Sequence, residues 1–252
     1  MAADFQLTGR CALVTGAGRG LGQAMATALA EAGADVAGVD IVDVDETRSR
    51  VEAAGRRFTA IEQDLRGPAA VRSVVERAAG ALGRLDILIN NAGIIRRADS
   101  LDFTEADWDD VIDVNLKSVF FLAQAAARQF LAQGGGGKIV NIASMLSFQG
   151  GIRVPSYTAS KSGVLGLTRL LANEWAAKGI NVNAIAPGYM ATANTAPLRA
   201  DATRSAEILA RIPAGRWGQP GDLAGAVVFL CSTASDYVHG SVIAVDGGWL
   251  AR

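Results

Sequence analysis

The 252 residues are 50% hydrophobic and 19% charged, enough apolar chain for one large α/β domain with a substantial core. Lys and Arg number 24 against 25 Asp and Glu, a formal charge of −1, so no basic footprint for nucleic acid and no polybasic membrane patch is expected. The single histidine, His239, argues against a Ser-His-Asp triad and rules out a multi-histidine metal site, so no metal is expected.

Residues 1–10 lack the apolar stretch of a secretory leader, and no run approaches the roughly 18 apolar residues that cross a bilayer. Cys11 and Cys231 each lie in an apolar segment, which suits buried thiols in a reducing cytoplasm. The first predicted strand, 11–15, runs into Thr15-Gly16-Ala17-Gly18-Arg19-Gly20-Leu21-Gly22, and a helical pattern covers 20–32. Glycines suit a tight turn that brings backbone N–H groups and a helix amino terminus to a pyrophosphate. Their spacing is not G-x-G-x-x-G, so the turn alone is weak. The second strand, 35–39, is followed by Asp40, where a carboxylate can accept hydrogen bonds from an adenosine ribose. The same charge repels a 2′-phosphate by roughly 4 kcal/mol at ~4 Å. Arg19 argues the other way, because it can pair with that phosphate. NAD is the expected cofactor, and Asp40→Ala is expected to admit NADP.

A helix over 44–54, a strand over 58–61 and a helix over 69–82 lead to a strand at 85–90, which opens into Asn90-Asn91-Ala92-Gly93. A helix is predicted over 105–131, a strand over 138–143 with Ser144 just beyond it, and a helix over 156–177. In that helix Tyr157 and Lys161 are four apart and share a face. A phenol titrates near ~10, and a neighbouring ammonium favours its ionised form. The strand at 181–186 is followed by 188–217, which contains Pro197 and Pro213 and only a modest helical pattern around 201–211. Such an insertion at the carboxyl end of a strand is a candidate substrate lid. A helix over 221–232 and a strand over 242–245 complete the pattern, with His239 expected to be exposed and without a role. Continuous hydrophobicity in the strands implies burial on both faces, hence a doubly wound parallel sheet of Rossmann type in one domain spanning 1–252.

Together, the turn from Thr15 to Gly22, Asn90-Asn91-Ala92-Gly93, Asn115, Ser144, Tyr157-x-x-x-Lys161 and Pro187-Gly188 resemble the short-chain dehydrogenase/reductase family along the whole chain. The resemblance implies that Tyr157 is the general acid/base and that Ser144 polarises the same substrate oxygen. Lys161 would bind the nicotinamide ribose and lower the tyrosine pKa, and Asn115 would hold a water in the proton relay. Gly16, Gly18, Arg19, Gly20, Leu21, Gly22, Asp40 and Ile41 would hold the adenosine and pyrophosphate. Asp64 and Leu65 would contact adenine, while Asn91, Ala92 and Gly93 line the cofactor. Pro187, Gly188 and Thr192 would sit beside the nicotinamide. It further implies a homotetramer, with Trp249 and Leu250 meeting a neighbour, so that deleting 249–252 is expected to weaken assembly.

Guanidinium groups suit carboxylates, and several stand near the implied site. Arg96 and Arg97 follow Gly93, Gln149 and Arg153 lie between Ser144 and Tyr157, and Arg199 lies in the lid segment. Arg96, Gln149 and Arg153 are the expected substrate residues; surface pairing of Arg96 or Arg97 with Asp99 or Asp102 is the alternative. The runs 90–97, 141–161 and 245–252 are similar to the family's dehydrogenases of deoxygluconate-type sugar acids. That implies NAD-linked oxidation of such an acid, or reduction of its diketo form, in bacterial breakdown of pectin-derived uronates. Gluconate and 3-oxoacyl members of the family are the alternatives. A nucleotide sensor without turnover is the alternative of another class, against which the intact Ser144, Tyr157 and Lys161 speak.

Overall fold

A computed structural model describes residues 4–252. The leader reading of 1–10 therefore falls partly outside the described residues. Strands β1 (Cys11–Thr15), β2 (Asp35–Asp40), β3 (Phe58–Glu62), β4 (Ile87–Asn90), β5 (Gly137–Ile142), β6 (Ile180–Pro187) and β7 (Val242–Val245) form one seven-stranded sheet. Their order is β3-β2-β1-β4-β5-β6-β7, and every pairing is parallel. Chain direction across the sheet reverses between β1 and β4, leaving a crevice at their carboxyl ends, where ligands bind in such folds.

Alternation along the strands sends neighbouring side chains to opposite faces, and both faces are covered. On one side Leu13, Ala37 and Leu88 pack against α3 (Pro68–Leu82) and α5 (Ser118–Ala132) through Val74, Leu122 and Phe130. On the other, Val14, Val36 and Ile89 meet α1 (Gly20–Glu31) and α9 (Ala224–Cys231) through Met25, Leu29 and Val227. All five residues of β1 and all eight of β6 are buried, which accounts for their largely apolar character. Helix α2 (Asp45–Ala53) follows β2, and α6 (Pro155–Trp175) begins with a proline at a position where a missing N–H costs nothing. Among the described residues no helix is long and apolar enough to cross a membrane.

Two expectations are corrected, for the helix at 105–131 and for His239. The helix expected over 105–131 is two, α4 (Glu105–Ile112) and α5, joined by a π turn at Asp113–Lys117. The extra residue in that turn carries Asn115 fully inside, where its Oδ1 accepts from Ile94 N at 2.8 Å and its Nδ2 donates to Ile94 O at 2.9 Å. His239 is partly buried, its Nε2 3.2 Å from Asn181 Nδ2. Trp249 is only 5% exposed because it packs on its own chain, against Met145, Ile208 and Ile212. The segment after β6 carries two short helices, α7 (Ala196–Ala200) and α8 (Ala202–Arg211); Asp201 caps the second by accepting from Arg204 N at 2.9 Å.

Candidate active site

A cavity of about 690 Å³ runs along the carboxyl edge of the sheet, from the glycine turn to the loop after β6. Gly16, Arg19, Gly20, Leu21 and Gly22 line one part together with Asp40 and Ile41. Asp64 and Leu65 form one wall, and Asn91, Ala92 and Gly93 line the middle. Ser144, Tyr157 and Lys161 stand with Pro187, Gly188 and Thr192 at the other end. Gly18, Asn115, Gln149 and Arg153 are not on the cavity wall.

The turn needs glycine for steric reasons. A Cβ on Gly22 would lie 1.9 Å from Gly16 O and 2.5 Å from Asn91 Nδ2. Asn91 binds the turn in return, its Nδ2 donating to Thr15 O at 2.8 Å, while Thr15 Oγ1 accepts from Asn91 N and Ala92 N at 3.0 Å. The β1 and β4 loops are thereby one rigid unit, with the amino terminus of α1 at the cavity. Such a terminus favours phosphate. Asp40 is fixed just as firmly. Its Oδ2 accepts from Gly18 N at 2.8 Å and its Oδ1 from Ile41 N at 2.7 Å and Val42 N at 3.3 Å. Arg19 is exposed and has no carboxylate partner among the described residues.

At the other end, Ser144 caps the single turn Met145–Ser147, its Oγ accepting from Leu146 N at 3.1 Å, and Ser147 Oγ donates to Lys161 O at 2.7 Å. The hydroxyl and the helix bearing Tyr157 are thus held to one another. Burial pushes the Tyr157 phenol above its ordinary pKa of 10.0, opposed by the Ser144 hydroxyl and the Arg97 charge. Lys161, which the family resemblance credits with lowering that pKa, faces the same ring. Its Nζ stands 5.8 Å from the centre of the tyrosine ring and donates to Ile142 O at 2.6 Å. Burial lowers Lys161 from 10.5 to about 8.

That lowered value has a cost in stability. A cation whose folded pKa falls from 10.5 to about 8 penalises the fold below pH 8, and the penalty fades as pH rises towards 10.5. At about 1.4 kcal/mol per pH unit this is roughly 3 kcal/mol, less about 1 kcal/mol for the Ile142 carbonyl that Lys161 satisfies. Lys161→Met is therefore expected to stabilise the folded chain by about 1–2 kcal/mol at pH 7 while removing activity. Urea denaturation at pH 7 and pH 10 checks this; a loss of stability at pH 7 would contradict it.

The expected substrate residues are engaged elsewhere. Arg96 lies on the cavity wall but pairs with Asp107 at 3.4 Å and Asp110 at 2.9 Å. Arg153, at a φ of 64°, pairs with Asp99 at 2.9 Å and holds that carboxyl below its usual range. Gln149 Oε1 accepts from Arg211 at 3.2 Å. Arg97 and Arg199 have no carboxylate partner among the described residues; they donate to Asn194 O at 3.0 Å and Thr192 O at 3.1 Å. Sequence reasoning missed Arg66 and Asp110 on the same cavity wall as Asp64, paired at 3.2 Å across 44 residues, a separation that leaves no local signal.

Comparison with known proteins places this site in context. A family profile described as enoyl-(acyl carrier protein) reductase matches residues 16–250. The 2-dehydro-3-deoxy-D-gluconate 5-dehydrogenase of Escherichia coli is 65% identical over 98% of both chains. The chain belongs to the short-chain dehydrogenase/reductase family. It is an oxidoreductase with a nicotinamide dinucleotide cofactor. Two solved members share the fold with a TM-score of 0.93. One, from Agrobacterium tumefaciens, is assigned as a 2-deoxy-D-gluconate 3-dehydrogenase with NADP bound; it is 60% identical, with 99% of each chain covered. The other is a gluconate 5-dehydrogenase from Burkholderia cenocepacia in complex with NADP and tartrate, 41% identical over 99% of this chain and 98% of that one. The family's dinucleotide fits here on steric grounds, since Gly16, Gly20 and Gly22 add no side chain to the stretch of cavity where α1 begins.

Proposed function

We propose that the protein is a 2-dehydro-3-deoxy-D-gluconate 5-dehydrogenase, interconverting a hydroxyl and a ketone on a deoxygluconate-type sugar acid with NAD. The single observation that carries this is the convergence of Ser144, Tyr157 and Lys161 at one end of a dinucleotide-sized cavity, in a chain 65% identical to a relative of that name. When bound, the nicotinamide supplies or accepts the hydride. Tyr157 exchanges the hydroxyl proton with the substrate oxygen, and Ser144 holds that oxygen by a hydrogen bond. Lys161 anchors the ribose, and Asn115 fixes the β4 loop through Ile94. Asp40 favours NAD; the exposed Arg19 beside it, and the NADP seen in two relatives, favour NADP as the second reading. The chain acts as one domain whose lid spans 188–217, in the cytoplasm, as a homotetramer in uronate breakdown. Exposed apolar side chains on successive helices, Trp108 on α4, Leu131 on α5 and Leu170 on α6, support assembly. Assaying 2-dehydro-3-deoxygluconate, gluconate and a 3-oxoacyl thioester with each nicotinamide cofactor tests the reading; preference for the thioester would overturn it.

Carboxylate recognition in this reading falls to Arg97, whose charge reaches the Tyr157 phenol and which spends its guanidinium on one main-chain oxygen. A charged hydrogen bond is worth about 1.5–3 kcal/mol, so Arg97→Ala is expected to raise the sugar-acid KM about 10–100-fold. An uncharged polyol should lose nothing by the same change. Equal losses on acid and polyol would remove Arg97 from this role.

A further inference from the structure

The seven residues after β7, 246–252, do not leave the body of the protein. Asp246 turns them back, its two carboxylate oxygens accepting from Gly248 N and Leu250 N at 2.9 Å. Gly247 and Gly248 have φ of 65° and 88°, and a Cβ on either would press into Ile212 or Pro213 just after α8. Trp249 then lies edge-on to Tyr189, with ring centres 4.8 Å apart, and the Arg211 guanidinium stacks over its other contact surface at 4.0 Å. Arg252 donates to Arg211 O at 3.2 Å and to Ala210 O at 2.8 Å, satisfying carbonyls that the end of α8 leaves unpaired.

The segment thus touches three things at once: α8 of the lid segment, Tyr189 next to Gly188, and, through the Trp249 cluster, Met145 next to Ser144. Gly188 and Ser144 both line the substrate end of the cavity. Arg211 adds a fourth tie, to Gln149 in the loop beyond Ser144. We infer that residues 246–252 are a clamp acting within one chain, in which Trp249 and Arg252 position α8 and thereby set how well the lid receives the sugar acid. None of these side chains touches the cavity, so they are positioning residues. The inference rests on the lid and substrate of the proposed function.

Trp249 is core, and its removal risks unfolding, so the test uses Arg252, which is exposed. Arg252→Ala is expected to speed hydrogen exchange within 202–211 and to raise the sugar-acid KM about fivefold. The kcat and the KM for NAD should stay within twofold, and Arg252→Lys should restore most of the loss, since an ammonium also caps helix carbonyls. Unchanged exchange in 202–211 would overturn the clamp whether or not a sugar acid is the substrate. Faster exchange with an unchanged KM would overturn its link to the lid. Dissociation of the assembly in sedimentation would overturn action within one chain, assigning the segment to contact between copies instead. Failure of the parent enzyme to use any sugar acid would refute the proposed function alone, leaving the exchange result to decide the clamp.

Discussion

Replacing Tyr157 with Phe is expected to cut turnover by about 10³-fold, within the range that a positioned proton-transfer group supplies. The change deletes one oxygen, which sits where Ser144 and Arg97 both influence it, and leaves the ring that Lys161 faces. Dinucleotide affinity should stay within about twofold, because the glycine turn and Asp40 lie along the opposite stretch of the cavity. Measuring cofactor binding by fluorescence alongside the rate separates lost chemistry from lost binding. Turnover near the parental rate in a cofactor-binding Tyr157→Phe sample would dismiss the acid/base role.

The direction of the Tyr157 shift makes a pH dependence part of the same argument. Burial holds the phenol protonated up to and beyond neutrality, so oxidation, which needs a proton acceptor, should gain as pH rises into the alkaline range. Reduction, which needs a donor, should hold its rate at neutral pH. The lowered Lys161 lies between these regimes at about 8 and loses its charge as pH passes that value. A group that anchors by charge should therefore weaken as the base strengthens, and the product of the two opposing trends is a rate maximum for oxidation above neutrality.

Much of this was legible in the sequence because the features are local and sterically forced. Gly22 has no tolerable alternative beneath Gly16, and a seven-stranded parallel sheet writes itself as apolar runs buried on both sides. Tyr157 and Lys161 share a helix face by spacing alone. What failed to show depends on partners far along the chain. Nothing near Arg96 announces that Asp107 and Asp110 will take its guanidinium, nor does Arg153 announce Asp99, 54 residues away. The π turn at Asn115 is a single inserted residue, too small a phase slip to disturb the helical periodicity around it. The packing of Trp249 within its own chain is not legible either, because its cover, α8, lies in a segment with little sequence signal.

Cofactor choice turns on whether a fixed anion can be ignored. The Asp40 carboxylate is held by three N–H groups, so it cannot swing aside when a 2′-phosphate approaches without giving up those bonds. Two unit charges ~4 Å apart near a surface repel by roughly 4 kcal/mol, and bound water and Arg19 reduce that to about half. Asp40→Ala is accordingly expected to shift the NADP/NAD ratio of kcat/KM about 30-fold towards NADP, most of it through KM. Some stability should go with it, since Gly18, Ile41 and Val42 lose an acceptor. Arg19 decides how much of the shift is attraction and how much is relief. In Asp40→Ala, adding Arg19→Ala should return about tenfold of the NADP gain, because a guanidinium–phosphate pair is worth about 1.5 kcal/mol or more. Steady-state kinetics of both single variants and the double variant with each cofactor give the full cycle. A parent enzyme that already prefers NADP, with a ratio unmoved in Asp40→Ala, would mean that Arg19 outweighs the carboxylate and would transfer the enzyme to the NADP-linked members of its family.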